Sequence, residues 1–319
     1  MLNFLLLTIG FVFLIYGANK LVDAASDLAR RLNVPNLVIG LTIVAFGTSA
    51  PELSVNLIAA ARHSTDIALG NVIGSNILNI LLILGISAFF APLSVKSSTT
   101  WIEIPLAFLS ALVVLAMAAD PWLDQAGQDV ISRSDGIILL FFFTIFLVYN
   151  FQLARRGGNE EESMETKLYT TPKAVLYILF GLALLLVGGR LIVDNAVALA
   201  RLAGWPERII GLTVVSIGTS LPELATSIVA ARKRNTDLAI GNIVGSNIFN
   251  VFLILGLSSV IYPIPVAEGA IFDILVNILA SALLFVFIFT GKGRRLDRSE
   301  GILFLLIYFA YLVWLIWYR

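Results

Sequence analysis

Two short segments of the sequence place a carboxylate, two hydroxyls, a proline and a glycine inside otherwise apolar stretches. They are Gly47-Thr-Ser-Ala-Pro-Glu52 and Gly218-Thr-Ser-Leu-Pro-Glu223. Each glutamate lies near the middle of its stretch, where a charged side chain without partners costs at least ~2.5–3.5 kcal/mol in a bilayer. No Lys or Arg stands near either glutamate in the sequence. Two equivalent carboxyls at such a depth are better explained as ligands for a cation than as structural groups.

The proline before each glutamate adds backbone oxygens to the same place. Proline lacks a backbone donor and its ring clashes with the carbonyl four residues earlier, which predicts a broken helix around Pro51 and Pro222. Irregular backbone at membrane depth is tolerated only where it is buried in protein or lines a cavity. The interruption is expected to free carbonyls for a cation, among them those of Ala45 and Ser216. Hydroxyl oxygens within a turn of the carboxylates come from Thr48, Ser49, Thr219 and Ser220.

A second pair of segments supplies further oxygens at helical spacing. Ser75 and Asn79 stand at i, i+4, as do Ser246 and Asn250, so each pair presents two oxygens on one helical face. Asn76 and Asn247, a third of a turn away, are expected to support or pack rather than to bind the ion.

The combined ligand set contains only hard oxygen atoms. Calcium takes about six to eight oxygens at about 2.3–2.6 Å, and sodium accepts the same chemistry, whereas soft transition metals prefer thiolate and imidazole. Two carboxylates can neutralise one divalent or two monovalent ions, so the ions compete for the same ligands. Protons are expected to compete as well when the ions are absent, which predicts inhibition by acid.

The composition identifies the kind of fold that must position these residues. Of 319 residues, 59% are hydrophobic and 13% are charged, and the mean hydropathy is +0.94. Soluble domains carry about 25% charged residues, so the chain is predicted to be an integral membrane protein whose first partner is the lipid bilayer.

Several classes of function are excluded by what the sequence lacks. Cysteine is absent and His63 is the single histidine, which argues against thiol, zinc and histidine-based chemistry. A net charge of zero and the lack of a glycine-rich phosphate motif argue against nucleic-acid and nucleotide binding. No cofactor and no protein partner is indicated.

Ten stretches are apolar and long enough to cross a bilayer, which needs ~20 residues per helix. The predicted fold class is therefore an all-α polytopic membrane protein with ten transmembrane helices. The stretches are residues 2–22, 36–61, 67–90, 102–119, 136–153, 173–194, 208–231, 238–261, 270–290 and 300–317.

An internal repeat divides these ten spans into two halves. When residues 38–87 are aligned on residues 209–258, 28 of 50 positions are identical without a gap, so the chain is a duplication. Five spans separate equivalent positions, and since five is odd the two copies must cross the membrane in opposite directions. The predicted units are a first five-helix repeat (1–153), a cytoplasmic linker (154–171) and a second five-helix repeat (172–319). Secondary transporters use such inverted repeats to alternate access to a central site.

The distribution of basic residues predicts the orientation. If the N-terminus lies outside, the inner loops hold 14 Lys and Arg and the outer segments hold five. The positive-inside rule therefore predicts that both termini lie outside the cell (plasma or inner) membrane.

Two charge pairs recur at equivalent places in the first and sixth spans. Lys20 with Asp23, and Arg190 with Asp194, stand at i, i+3 and i, i+4 spacing near the span ends. The simplest interpretation is a pair of helix-end ion pairs.

The two G-T-S-x-P-E-L segments and the two G-N-x-x-G-S-N-I-x-N segments resemble the alpha-repeats of the sodium/calcium exchanger family, within the cation/Ca²⁺ exchanger superfamily. The resemblance implies a prokaryotic-type antiporter without a regulatory domain, in which spans one and six slide against the core to alternate access. It implies sodium/calcium exchange, with Ca²⁺ and Na⁺ as the transported ions, and no enzymatic activity.

The resemblance also implies roles for individual residues. Glu52 and Glu223 would ligate calcium and share sodium, helped by oxygens of Thr48 and Thr219. Asn79 and Asn250 would line the central site. Some family members carry Asp where Asn250 stands, whereas both positions are amides here. The flanking sodium sites would be formed by Ser49, Ser75, Ser220, Ser246 and the carbonyls of Ala45 and Ser216.

Three alternatives remain open from the sequence. A calcium (cation)/proton exchanger would use the same carboxylates, and the hydroxyl-rich ligand set argues only weakly against it. An intramembrane enzyme would use two glutamates as general acid and base, but it would need the carboxyls close together with access to water. A passive channel would conduct without a counter-ion.

Overall fold

The computed structural model of the protein describes residues 2–63, 65–119, 129–157, 169–204, 216–267, 269–290 and 293–318. Helices account for nearly all of these residues. They are α1 (Leu2–Arg31), α2 (Asn36–Thr48), α3 (Ala50–Ala61), α4 (residues 65–90), α5 (Thr99–Met117), α6 (Arg133–Arg155), α7 (Thr171–Leu202), α8 (Ser216–Thr219), α9 (Leu221–Arg232), α10 (Thr236–Ile261), α11 (Ala270–Phe287) and α12 (Arg298–Tyr318).

Within the described residues, eight helices are long and apolar enough to cross a membrane, or nine if the bent pair α2 and α3 counts as one span. This confirms a mostly helical membrane fold. The predicted stretch 208–231 begins outside the described residues, and its described part forms α8 and α9. The predicted linker likewise lies mostly outside them, between the end of α6 and the start of α7.

Two short antiparallel strand pairs join loops that are distant in sequence. Strand β1 (Leu93–Ser94) pairs with β4 (Arg295–Leu296), and β2 (Val130–Ile131) pairs with β3 (Ile264–Pro265). The sequence analysis predicts no strands, because segments of two residues carry no readable alternation. Each pair ties the two halves of the chain together outside the helices.

Helices α1 and α7 are each longer than predicted. The apolar stretches end at residues 22 and 194, yet the helices continue to Arg31 and Leu202. The reason is that alanine and leucine between the polar residues favour helix, while hydropathy reports only the part that lipid can cover. Both helices therefore continue beyond their predicted ends, α1 through residues 23–31 and α7 through residues 195–202.

The two long helices pack against each other at four glycines. An added Cβ at Gly10 would lie 2.9 Å from Gly188 O, and one at Gly17 would lie 2.8 Å from Gly181 O. A shift of 171 residues turns Gly10 into Gly181 and Gly17 into Gly188. The contact of Gly10 with Gly188 is therefore equivalent, under the repeat, to the contact of Gly181 with Gly17. Small residues allow such close backbone approach between helices in membranes.

Helices α4 and α10 form the centre of the molecule. In their most apolar windows, 83% and 94% of the residues are buried, against 17–39% for the other six unbroken helices of spanning length. Both contain a π-helical segment, Asn79–Leu84 in α4 and Phe249–Leu255 in α10. Such irregular turns are frequent at functional sites because they redirect side chains. The two helices that carry the Ser and Asn ligands are thus the ones most shielded from lipid.

The helix break predicted at each proline is present. Helices α2 and α3 meet at Ser49 with a bend of 49°, and Ser49 has φ −83° and ψ 10°. Ser220 has nearly the same conformation, φ −90° and ψ 9°, between α8 and α9. Each proline occupies the first turn of the following helix, where its missing N–H needs no partner. The break therefore interrupts each helix at a single serine while both flanking segments stay helical.

We predict that Gly188→Ala destabilises the crossing of α1 and α7. The new Cβ would lie 2.8 Å from the backbone oxygen of Gly10, which cannot move away without shifting α1. Overpacking of this kind costs about 1–3 kcal/mol, so the melting temperature of the purified protein should fall by several degrees. Gly189→Ala is the matched control, since its nearest described neighbour would be 3.9 Å away. Equal melting temperatures for the two variants would contradict the assignment.

Candidate cation site

The two predicted glutamates are buried at the interface of the broken helices. Glu52 and Glu223 are each 1% exposed, and each lies in the first turn of the helix that follows the break, α3 and α9. None of the ion pairs among the described residues includes either of them. As far as the chain is described, the two carboxylates thus lie in the protein interior without an ion-pair partner.

Each carboxyl is held by the serine at the other break. Ser49 Oγ donates to Glu223 Oε1 at 2.9 Å, and Ser220 Oγ donates to Glu52 Oε1 at 3.1 Å. The bonds are reciprocal under the repeat, because Ser49 and Glu52 correspond to Ser220 and Glu223. The two broken helices are therefore hydrogen-bonded to each other at their breaks, and each carboxyl accepts one of these two bonds.

The same Ser and Glu residues would form a capping box in an ordinary helix. A serine followed three residues later by glutamate is the pattern in which each side chain bonds the backbone of the other residue. Here neither Ser49 nor Ser220 makes a side-chain cap. Their hydroxyls instead donate to the carboxyl of the opposite half. Each helix therefore lacks a local side-chain cap, and its serine is used in the site.

The serines of the central helices complete the hydroxyl set. Ser246 Oγ lies 3.5 Å from Glu223 Oε1, and Ser75 hydrogen-bonds Glu52. Ser220 Oγ also lies 3.4 Å from Ser75 Oγ. The four predicted serines of the site are thus brought together around the two carboxyls.

The amides of Asn79 and Asn250 are engaged through their nitrogens. Asn79 Nδ2 donates to Asn247 Oδ1 and Asn250 Nδ2 donates to Asn76 Oδ1, both at 2.9 Å. The four asparagines are buried. The oxygens Oδ1 of Asn79 and Asn250 remain without a hydrogen-bond partner, as do Oε2 of Glu52 and Glu223. Buried polar atoms are normally paired, so four unpaired oxygens from this cluster mark a place where a cation fits.

The predicted threonines have different environments. Thr48 is 0% exposed and its hydroxyl lies 3.1 Å from Asn242 Oδ1 and 3.1 Å from Val44 O. Thr219 is half-buried and lines a cavity of about 510 Å³ between α3, α7 and α8. That cavity also reaches Pro51, Gly189 and Asp194. The site is thus approached by open space on the Thr219 side.

The two predicted backbone ligands, Ala45 and Ser216, lie one turn before each break. Ala45 O accepts from Ser49 N at 3.0 Å and lies 3.3 Å from Thr48 Oγ1, so binding a cation there requires one of these bonds to give way. Ser216 begins α8, and its side chain lies outside the described residues.

Sequence reasoning missed Asn242 in α10. Its Nδ2 donates to Ser227 Oγ at 3.0 Å, and its Oδ1 faces Thr48. The first-half counterpart Asn71 similarly donates to Asn56 Oδ1 at 2.8 Å. Both asparagines stand directly after a glycine of the repeated motif, and that identity across the repeat was the signal that could have found them.

Other buried carboxyls have partners of their own. Glu103 accepts a hydrogen bond from Tyr149, Asp237 pairs with Lys96, and Asp27 Oδ2 accepts from Tyr169 N at 2.9 Å. Within the described residues, no group of three or more Asp, Glu or His side chains could hold a metal ion. The cluster around Glu52 and Glu223 is thus a site of two carboxylates completed by hydroxyls and amides, which suits alkali and alkaline-earth cations.

Comparisons with known proteins support this chemistry. The sequence model of the family described as sodium/calcium exchanger protein matches residues 2–152 and 173–317. Among curated relatives, the inner membrane protein YrbG of Escherichia coli K12 is 38% identical over 97% of this chain and 96% of its own length. The sodium/calcium exchanger MaX1 of Methanosarcina acetivorans is 33% identical over 98% and 97% of the two chains.

A solved structure has the same fold over the whole length. The sodium-calcium exchanger NCX_Mj, soaked with 2.5 mM Na⁺ and 1 mM Sr²⁺, superposes with a TM-score of 0.84 at 32% identity and covers 98% of each chain. Forms soaked with 10 mM Na⁺ and no Ca²⁺ match similarly, with a TM-score of 0.82. The similarity extends through all the described helices rather than through the motifs alone.

We predict that Ser49→Ala weakens calcium binding by about tenfold or more, since a hydrogen bond to a charged group contributes about 1.5–3 kcal/mol. The substitution removes the donor that holds Glu223 across the break. Calorimetric titration of the purified protein with Ca²⁺ measures the effect. Ser54→Ala is the matched control, because Ser54 lies exposed on α3 and bonds only Ala50 O. Unchanged affinity in Ser49→Ala would remove Ser49 from the site.

Proposed function

Since the chain belongs to the sodium/calcium exchanger protein family, we propose that it exchanges Na⁺ for Ca²⁺ across a membrane by alternating access. Members of this family are transporters, which excludes the intramembrane enzyme considered from the sequence. The observation that carries the proposal is the pair of crossed serine–glutamate bonds, in which Oε2 of each buried glutamate is left without a hydrogen-bond partner.

The ligand roles follow from those contacts. Glu52 and Glu223 supply the negative charge, and their free Oε2 atoms face the ion together with the amide oxygens of Asn79 and Asn250. Ser49, Ser75, Ser220 and Ser246 would serve sodium on either side of this centre, with Thr48, Thr219 and the carbonyls of Ala45 and Ser216. Calcium and sodium cannot occupy the shared carboxylates together, which is the physical basis for exchange, and protons compete for the same oxygens.

The two halves are proposed to be inverted repeats of five spans each, residues 1–153 and 172–319, joined by a cytoplasmic linker at 154–171. Reciprocal contacts support this assignment. Gly85 packs on Gly301, and Gly256 packs on Gly136, so helix α4 meets α12 as α10 meets α6. The glycine crossing of α1 and α7 and the crossed serine–glutamate bonds have the same reciprocity.

The proposed location is the cell membrane with both termini outside. The 14 basic residues of the inner loops against five outside support this orientation. In that orientation the cavity lined by Thr219 and Asp194 opens to the outside, so the described conformation is one from which external ions would enter.

We predict that vesicles containing the purified protein take up radioactive calcium only against an opposing sodium gradient, and that Glu52→Gln reduces this uptake to the level of protein-free vesicles. The substitution removes one of two charges that neutralise Ca²⁺ while keeping the side-chain size. Glu103→Gln is the matched control, because Glu103 is also a buried glutamate but bonds Tyr149 on the neighbouring α6.

Three results would overturn parts of the assignment. Uptake driven equally well by a proton gradient would establish the cation/proton exchanger. Uptake that does not saturate and needs no counter-ion would indicate a channel. Normal sodium-driven uptake by Glu52→Gln would remove that residue from the transport site.

A further inference from the structure

Four asparagines close a ring between the two central helices. Asn79 and Asn250 donate through Nδ2 to the side-chain oxygens of Asn247 and Asn76. Asn76 Nδ2 donates in turn to Asn247 O at 3.2 Å, and Asn247 Nδ2 donates to Asn76 O at 3.4 Å. Every amide nitrogen in the ring has an acceptor, and the ring is reciprocal under the repeat.

The ring decides which end of each ligand amide faces the site. An asparagine side chain carries an oxygen acceptor and an NH₂ donor of nearly the same shape. If Asn79 or Asn250 rotated by half a turn, it would present two N–H groups to the ion and repel it. Because Asn247 and Asn76 accept from these NH₂ groups, the oxygens occupy the other side of each amide, and they are buried and unpaired.

We propose that Asn76 and Asn247 are positioning residues that keep the cation site lined by oxygen alone. They touch the ligand amides rather than the ion, and their own orientation is fixed by the backbone of the opposite helix. The inference rests on the proposed function, because it concerns how the exchange site selects cations. It also explains how two neutral amides can serve a site whose charge comes from two glutamates.

A double-mutant comparison tests this role separately from folding. Asn247→Leu removes the acceptor for Asn79, so calcium affinity measured by calorimetry should fall by about tenfold. In an Asn79→Asp background the same Asn247→Leu change should alter affinity by less than about twofold, because a carboxylate presents oxygen in either rotamer. Asn76→Leu with and without Asn250→Asp repeats the test in the other half. Asn150→Leu, a buried asparagine on α6 that donates to Phe146 O, is the matched control.

The outcomes separate this proposal from the proposed function. Equal losses of affinity with and without the aspartate would mean that Asn247 acts only through packing, and would overturn the proposal. Unchanged affinity in both single leucine variants, together with loss of uptake in Glu52→Gln, would overturn it while the exchange function stands. If the unaltered protein bound no calcium, the proposed exchange function itself would be wrong.

A different observation concerns the ion pairs of Asp23 on α1 and Asp194 on α7. Asp23 on α1 does not pair with Lys20, as the sequence suggested, but with Lys233 at 2.6 Å. Lys233 is the C-cap residue that follows α9. Under the shift of 171 residues, Asp23 corresponds to Asp194 on α7, and Lys233 corresponds to Arg62, the C-cap residue that follows α3.

The mirror pair is not formed in this structure. Asp194 lies 3.9 Å from Arg190, as the sequence suggested, with both side chains largely exposed. Arg62 is exposed and forms no ion pair with any residue that the structure describes. The cavity on the Asp194 side reaches Thr219, whereas the cavity beside Lys233 ends at Leu221 and is lined by none of the predicted ligands. The formed pair thus lies beside a cavity that no predicted ligand lines, and the unformed pair lies beside the cavity that Thr219 lines.

We infer that Asp23–Lys233 and Arg62–Asp194 are ion pairs that form alternately during transport, one being formed whenever the other is broken. When α1 and α7 shift relative to the broken helices, the repeat would bring Asp194 to Arg62 as Asp23 now meets Lys233. Lys233 and Asp23 are partly exposed, so their pair is weak enough to break in every transport cycle.

Cysteine pairs test the alternation, since the chain has no cysteine of its own. With a short bifunctional thiol reagent, Asp23→Cys/Lys233→Cys should cross-link without added ions. Arg62→Cys/Asp194→Cys should cross-link only when sodium and calcium drive turnover, and each cross-link should stop sodium-driven calcium uptake. The single variants, which cannot be bridged, are the controls. Cross-linking of Arg62→Cys/Asp194→Cys at the same rate without ions, or its failure during active uptake, would overturn the inference.

Discussion

The structure depends on two carboxylates that are buried between broken helices and that form no ion pair with any basic side chain in the described part of the chain. A lone charge at such a depth is costly, so it persists only where other groups or a bound cation compensate it. The protein provides part of that compensation through hydroxyls, and in the proposed function a bound cation provides the rest. Ser49 donates to Glu223 and Ser220 donates to Glu52, so the carboxyl of each half has a hydroxyl donor from the other half. Ser75 and Ser246 add a hydroxyl from the same half to each carboxyl. The two halves are therefore coupled at the two carboxyls.

The helix breaks also contribute to stabilising the two buried carboxylates. A serine and a glutamate three residues apart would cap a regular helix, and the proline between them suits the first helical turn. At both breaks the side chains leave the cap and reach across the interface. The local cost is the loss of one capping interaction at each break, about 0.5–2 kcal/mol, and the gain is a set of oxygens that converge on one place. The central helices add amides whose orientation is set by a closed ring of hydrogen bonds.

The molecule separates a buried central pair of helices from two long helices that are more exposed. Helices α4 and α10 are almost fully buried and carry Ser75, Ser246 and the asparagines. Helices α1 and α7 cross each other at glycines and contact the broken helices. Displacement of this pair is the proposed means of opening or closing a path to the ligands. The ion pair of Asp23 with Lys233 joins α1 to the end of α9, so such a displacement would change the distance between these two side chains.

The sequence by itself determined the membrane class, the duplication, the breaks at Pro51 and Pro222, and the ligand types, because hydropathy, internal identity and proline chemistry act locally along the chain. It did not determine which atoms meet. The crossing of Ser49 to Glu223, the ring that turns Asn79 and Asn250, and the partner of Asp23 join residues more than 160 positions apart. The continuation of α1 beyond its apolar stretch and the two-residue strands were equally unreadable, since neither carries a hydropathy signal. Only the packing of one half against the other decides these contacts, because each side chain had a plausible local partner that the tertiary arrangement replaced.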